Sequence, residues 1–314
     1  MPGLPLIVDV KRHSLEDGPG IRSVVFFKGC PLRCVFCQNP EARHAHAEIA
    51  FRADRCVDCG ACVSACPTNV VDLNRPGRID RSHCDVCGKC AAACPSGALT
   101  VIGRSYEVDE LVELLMRDEP FYRHSGGGVT FSGGECTMFP DYLAAVALAL
   151  RARRIHLAVE TCGEFASAMF VERLLPLLDL VYFDVKLADP AQHHAHTGRD
   201  NRRILDNLIL LVRTAPDRVQ ARIPLIPGIT ATEENLAGLA ASLRECGVRR
   251  ATLLPYNPLG RSMAVALGRP EPPTPDRFMT REEQTAAITM FEALVSASSV
   301  LSAVKTYCAA GLLR

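Results

Sequence analysis

Ser23-Val24-Val25-Phe26-Phe27-Lys28-Gly29-Cys30 is the stretch on which the fold turns. An unbroken run of β-branched and aromatic residues closed by glycine predicts a buried strand. Cys30, Cys34 and Cys37 follow it directly, spaced C-x3-C-x2-C. From about residue 105 onward, short strand-like runs at 128–131, 156–160, 180–185, 220–224 and 251–254 alternate with helical patterns at 107–118, 139–153, 167–179, 201–214, 233–246 and 281–296. With 23–27 this makes six strands, mostly joined by helices. Such alternation predicts an α/β fold, a parallel sheet with right-handed crossovers that is open or curled toward a barrel. In that architecture chemistry sits on loops at the carboxyl ends of strands, where the three cysteines fall.

The rest of the composition narrows the class. Over 314 residues, 35 basic and 35 acidic side chains cancel, which argues against nucleic acid as the main partner. The longest apolar run lies between Asp141 and Arg151, far short of the roughly 20 residues a membrane span needs. The first residues carry no basic start and reach Asp9 early, unlike a secretion signal. The expected compartment is therefore the cytoplasm, where thiols stay reduced and clustered cysteines read as metal ligands before disulfides.

Cysteine is the outlier, with 15 in the chain and 11 of them between Cys30 and Cys94. Cys56, Cys59, Cys62 and Cys66 recur 28 residues later as Cys84, Cys87, Cys90 and Cys94, and each half reads C-x2-C-x2-C-x3-C-P. In this ferredoxin pattern the fourth cysteine of each half ligates the other cluster. Cys56, Cys59, Cys62 and Cys94 are therefore assigned to one [4Fe–4S] cluster, and Cys66, Cys84, Cys87 and Cys90 to a second. Zinc is the competing ligand, but zinc sites tend to pair two C-x2-C elements rather than two four-cysteine runs each ending in proline. The expected organisation is a discontinuous core, 1–49 and 105–314, with a ferredoxin-like insert at 50–104. So small an insert cannot bury much core, and its clusters must largely hold it together.

Three thiolates at one strand end can ligate three irons of a cubane and leave the fourth open to a chelating substrate; three structural cysteines in a loop are the alternative. At this point the chain resembles the radical S-adenosylmethionine (SAM) enzymes, and among them the activating enzymes of glycyl radical enzymes. The resemblance is carried, in order, by Asp17-Gly18-Pro19-Gly20-Ile21-Arg22, Phe27-Lys28-Gly29-Cys30 and Cys34-Val35-Phe36-Cys37-Gln38-Asn39-Pro40-Glu41. It continues through Gly126 to Glu135, Glu160-Thr161-Cys162-Gly163, Asp184-Val185-Lys186, Thr197-Gly198, Arg222 to Gly228 and Leu254-Pro255-Tyr256. The eight-cysteine insert is similar to that of the subset of these activases with two extra clusters.

The resemblance implies a partial (β/α)6 barrel and three [4Fe–4S] clusters. It implies reductive cleavage of SAM to a 5′-deoxyadenosyl radical, which takes hydrogen from a backbone glycine of a partner enzyme. It implies a flavodoxin or ferredoxin as electron donor. It implies that Gly133-Gly134-Glu135 receives the methionine amino group, with Glu135 as charged partner; a tight turn with a solvated Glu135 is the alternative. Lys186 would pair the substrate carboxylate, with Asp184 holding it through a cation or hydrogen bond, against a plain surface salt bridge. Arg222 would contact the nucleoside-methionine portion, Asn257 the ribose, and Phe36 the adenine. Glu160 would stand near a monovalent cation. Asp17 to Arg22 reads as a surface loop near the entry of the partner's glycine loop. Cys136, Cys162, Cys246 and Cys308 read as small buried hydrophobes. His44, His46, His193, His194 and His196 read as surface or structural, the last three in a loop. Two other functions compete: a radical SAM enzyme acting on a small molecule or another peptide, and a ferredoxin-type electron carrier, which would not need the motifs outside the insert.

Overall fold

The computed structural model describes residues 3–296 and 303–306. Its strands are β1 (Leu6–Ser14), β2 (Arg22–Phe27), β3 (Glu48–Phe51), β4 (Leu99–Ile102), β5 (Arg104–Ser105), β6 (Gly128–Gly133), β7 (His156–Thr161), β8 (Leu180–Asp184), β9 (Val219–Leu225), β10 (Arg250–Pro255) and β11 (Ala303–Thr306). One sheet runs β11-β10-β9-β8-β7-β6-β2-β1-β5. From β2 to β11 every neighbouring pair is parallel. All six expected strands are in it, in order. The sheet is longer than six because β11 extends it at one edge and β1 and β5 close the other edge antiparallel. β1 has no continuous apolar signal in the sequence: Asp9, Lys11, Arg12 and His13 interrupt its apolar run.

Period-two alternation divides the sheet into two faces. Val25, Phe27, Val129, Phe131, Leu157, Val159, Val181, Phe183, Ala221, Ile223, Ala251 and Leu253 pack under the surrounding helices in one core. Their alternates, Thr130, Ser132, Glu160, Asp184, Gln220, Arg222 and Thr252, make the concave face polar. Burying the apolar set stabilises the barrel by about 1.5–3 kcal/mol per large side chain, and it leaves the other face free for chemistry.

Helices appear at Val108–Met116, Pro140–Ala152, Arg202–Thr214, Glu233–Glu245 and Arg281–Ser296, within two residues of expectation. The segment expected as one helix at 167–179 is broken into turns at Ser167–Met169, Phe170–Leu174 and Leu175–Leu177; Pro176 has no N–H to continue a ladder. Outside the segment between β3 and β4, three described α-helices were not expected: Glu119–Ser125, Pro190–Thr197 and Leu259–Ala266. The second corrects the loop placement of His193, His194 and His196. Asp189 caps it by accepting from the Gln192 N–H at 2.7 Å, with Pro190 at its first position. The Asp17–Arg22 segment is also only partly surface. Arg22 is fully buried, its Nε donating to Thr130 Oγ1 at 2.7 Å.

Residues 48–102 form the smaller unit. Its stem is the antiparallel pair β3–β4, which begins at Glu48, two residues ahead of the expected boundary. Within it are the short helices Ala61–Ala65 and Lys89–Ala92 and a core of Ile49, Val71, Ile79, Cys90 and Leu99. The 28-residue repeat is visible in the backbone: φ is 53° at Asp58 and 56° at Val86, then 74° at Gly60 and 75° at Gly88. A β-branched Val86 in the left-handed region is costly, so the turn that presents its neighbouring thiols outweighs local preference. Among the described residues no helix is long and apolar enough to cross a membrane.

Candidate functional site

The three-cysteine loop leaves the carboxyl end of β2 and is held by backbone at both ends. Gly29 N–H donates to Ala42 O at 2.7 Å and Cys30 N–H to Arg43 O at 3.0 Å. In its middle, Arg33 and Val35 donate to the carbonyls of Thr197 and His196, the last turn of the Pro190–Thr197 helix, at 2.7 and 2.9 Å. Leu32 and Phe36 are buried beneath it. The turn after β6 crosses so close that a Cβ on Gly134 would lie 2.2 Å from Gly29 O and 2.4 Å from Ala42 O. Only glycine lets the two loops touch.

Cys30, Cys34 and Cys37 line one cavity that opens to solvent. Phe36, Gly133, Gly134, Asp184, Lys186 and Arg222 line it too, so these expected residues from four strand ends share one space. Burial pushes the Cys34 thiol up to about 12 and the Cys37 thiol up to about 11. Cys30 is held below its ordinary value, first by a hydrogen bond from Cys162. For Cys34 and Cys37, burial therefore disfavours the free thiolate.

Charges across the cavity are paired. The strand ends at Asp184, and Lys186 turns back so that its Nζ donates to Asp184 Oδ2 at 2.7 Å. Burial alone would lower the Lys186 ammonium; Asp184, then the sulfurs of Cys34 and Cys162, raise it instead. Arg222 Nη1 bonds Glu160 Oε1, and Ser132 Oγ donates to Glu160 Oε2 at 2.6 Å. Arg222 Nε is buried with no hydrogen-bond partner, an unsatisfied donor on a residue that lines the cavity. The lining also includes the apolar side chains of Leu32, Phe36, Pro224, Ile226 and Leu254. The cavity therefore suits a molecule with a charged end and a flat apolar body.

Three expectations change. Glu135 does not face the cavity: it is 1% exposed and saturated, accepting from Thr137 Oγ1 at 2.7 Å, Thr161 Oγ1 at 2.9 Å and Cys162 N–H at 2.7 Å. Its carboxylate ties the β6 loop to the end of β7 and is not available to an amino group. Asn257 does not line the cavity either; its Oδ1 accepts the Leu259 N–H at 3.3 Å and starts the Leu259–Ala266 helix. Cys162, read as packing, lines the cavity and hydrogen-bonds Cys30. Cys136 and Cys246 are buried as expected, and Cys308 lies outside the described residues. His44 and His46 are exposed; with Glu48 they bring ligand-type atoms within 4.8 Å, but Lys28 and Arg269 already hold the Glu48 oxygens. His193 is buried, its Nδ1 2.6 Å from Arg199 O.

In the small unit the eight cysteines sort into two cavities. Cys56, Cys59, Cys62 and Cys94 line one of about 330 Å³, and Cys66, Cys84, Cys87 and Cys90 one of about 260 Å³. Each group takes three cysteines from one half of the repeat and the fourth from the other.

A parallel barrel-like sheet with three thiols at its first strand end is the arrangement of one superfamily. The profile of the Radical SAM superfamily matches residues 24–240, and the chain belongs to it. The chain is 40% identical over 271 residues to the choline trimethylamine-lyase activating enzyme of Oleidesulfovibrio alaskensis, covering 84% of this chain and 87% of that one. It is 41% identical over 274 residues to the benzylsuccinate synthase activating enzyme of Thauera aromatica, covering 85% and 82%. Within the superfamily it belongs to the activating enzymes of glycyl radical enzymes. Among solved structures, Streptococcus suis SuiB bound to precursor peptide SuiA shares the fold alone, with TM-score 0.54 at 11% identity, covering 89% of this chain and 46% of that one.

Proposed function

We propose that this chain cleaves SAM reductively and uses the resulting 5′-deoxyadenosyl radical to take a hydrogen atom from a backbone glycine of a partner glycyl radical enzyme. The observation that carries the reading is the convergence of Cys30, Cys34 and Cys37 with Lys186, Gly134 and the unpartnered Arg222 Nε on one cavity. A [4Fe–4S] cluster held by the three thiolates supplies, when bound, a low-potential electron and an iron corner without a protein thiolate. Lys186, steadied by Asp184, binds the carboxylate of SAM. Backbone of the Gly133-Gly134 turn receives its amino group, in place of the Glu135 carboxylate. Arg222 donates through Nε to the nucleoside-methionine portion. Phe36 and the apolar lining hold the adenine and keep water from the radical. A monovalent cation at Glu160 would have to share that carboxylate with Arg222.

The eight cysteines of the small unit are read as ligands of two auxiliary [4Fe–4S] clusters, the two cysteine groups above being the support. A flavodoxin or ferredoxin is the proposed donor and the cytoplasm the proposed compartment. The test is anaerobic reconstitution, then SAM and dithionite, with 5′-deoxyadenosine measured. A candidate partner is then added and its glycyl radical sought by electron paramagnetic resonance (EPR). Cleavage without radical on any genetically neighbouring glycyl radical enzyme would favour a small-molecule or other peptide substrate. No cleavage would end the proposal.

A further inference from the structure

Lys28 precedes Cys30 by two residues and is fully buried. Its Nζ donates to Glu41 O at 2.6 Å, just beyond Cys37, and to Glu48 Oε2 at 2.6 Å. Glu48 is the first residue of β3, the stem of the small unit. Arg269 reaches the same carboxylate, its Nη2 2.7 Å from Glu48 Oε1 and 3.0 Å from Oε2, while its Nη1 donates to Pro40 O. Glu48 and Arg269 are 11% and 12% exposed. Two buried cations therefore grip one carboxylate, and each also grips the backbone that closes the cysteine loop. Burial works against the Glu48 charge, but Lys28 and Arg269 hold the carboxyl below its ordinary value. Arg269 follows the Leu259–Ala266 helix, whose Gly260 abuts Cys37 O and whose Ala266 O accepts from Arg81 Nη2 of the small unit at 2.9 Å.

We propose that Glu48 is a positioning residue for the three-cysteine loop, set by the stem of the small unit: through Lys28 and Arg269 it fixes both ends of residues 29–41 so that Cys30, Cys34 and Cys37 converge. Without the carboxylate, two cations face each other in a buried space, and each escapes only by releasing the carbonyl of Pro40 or Glu41. The barrel thus supplies the thiols and the stem supplies the charge that aims them. This inference rests on the reading of the three cysteines as cluster ligands.

The test uses the full-length, anaerobically reconstituted chain, with Glu48→Ala, Glu48→Gln, Glu48→Asp and, as a surface control, Glu110→Ala. Iron content and the EPR spectrum of the reduced protein are recorded with and without SAM. Wild type and control should hold roughly 12 irons, and Glu48→Ala about 8, with the SAM-induced change in the spectrum lost and the insert signals kept. Glu48→Gln should fall between, and Glu48→Asp should recover most of the SAM response. Full iron and an unaltered SAM response in Glu48→Ala would overturn the proposal. So would an insoluble Glu48→Ala together with a Glu48→Gln that has lost insert and loop iron alike, since the role would then be general stability. If Cys34→Ala in the wild-type background changes neither iron nor spectrum, the cluster reading itself fails, a result separable from any of these.

Discussion

The two cysteine-bearing regions present thiols in opposite ways. The loop of Cys30, Cys34 and Cys37 is held by backbone bonds to β6, to the Pro190–Thr197 helix and to its own exit, over buried Leu32 and Phe36. Its path is fixed by protein contacts alone. The small unit has a core of five side chains, and Cys59 and Cys87 are exposed. Fixing each backbone residue costs roughly 1–2 kcal/mol, which so thin a core cannot offset over fifty residues. On the proposed reading, the barrel fold makes its metal site, whereas in the small unit the metal would make the fold.

The largest effect that can break this contrast is Cys34→Ala. It should abolish 5′-deoxyadenosine formation and leave about eight irons on the insert, read by iron analysis and product chromatography. Turnover in that variant would mean the preformed loop is not the reactive site. Next comes iron removal by a chelator under reducing conditions. Proteolysis within 54–96 should accelerate by at least about 100-fold, because structural metal carries on the order of 10 kcal/mol of folding energy in small domains, while the barrel stays protected. Mass spectrometry of the fragments checks it; equal protection of both regions would erase the contrast. Lys186→Ala should weaken SAM binding by about 1–3 kcal/mol without altering iron content. Calorimetry decides, and unchanged affinity would reduce Lys186 to a partner of Asp184. The smallest effect is Arg75→Ala. Its ion pair with Asp80 in the small unit is 3.4 Å long and partly exposed, so losing it should cost less than about 1 kcal/mol in iron-loaded thermal melts. A larger loss would mean that charge pairs, besides clusters, hold the insert.

Much of this was legible in sequence because the decisive signals are local. β2 is a continuous apolar run, the cysteine repeat is a fixed 28-residue shift, and helix periodicity needs only its own window. What was misread depends on partners distant in the chain. Glu135 after two glycines looks like a free carboxylate; it is taken up by Thr161 and by the Cys162 N–H at the end of another strand. Cys162 carries no cluster spacing, and only the parallel sheet brings it beside Cys30. Asn257 looked like a ribose ligand because a helix start ahead of Gly260 is a weak signal. The Lys28–Glu48–Arg269 tie joins three segments, and no window contains it.

The order of strands bears on how the chain reaches this state. β7, β8, β9 and β10 each pair with the strand before them across a short helical crossover, but β2 must wait for β6, which begins at Gly128. Most of that gap is the small unit. Loop-closure entropy rises with the length of chain enclosed, and pairing across long separations is slow. The β3–β4 stem joins residues 48 and 102; once the small unit is folded, it cuts the effective loop that β2 and β6 must close. An element that hangs off the side of the finished barrel would thus act, during synthesis, as a staple that shortens the search for its first parallel pair.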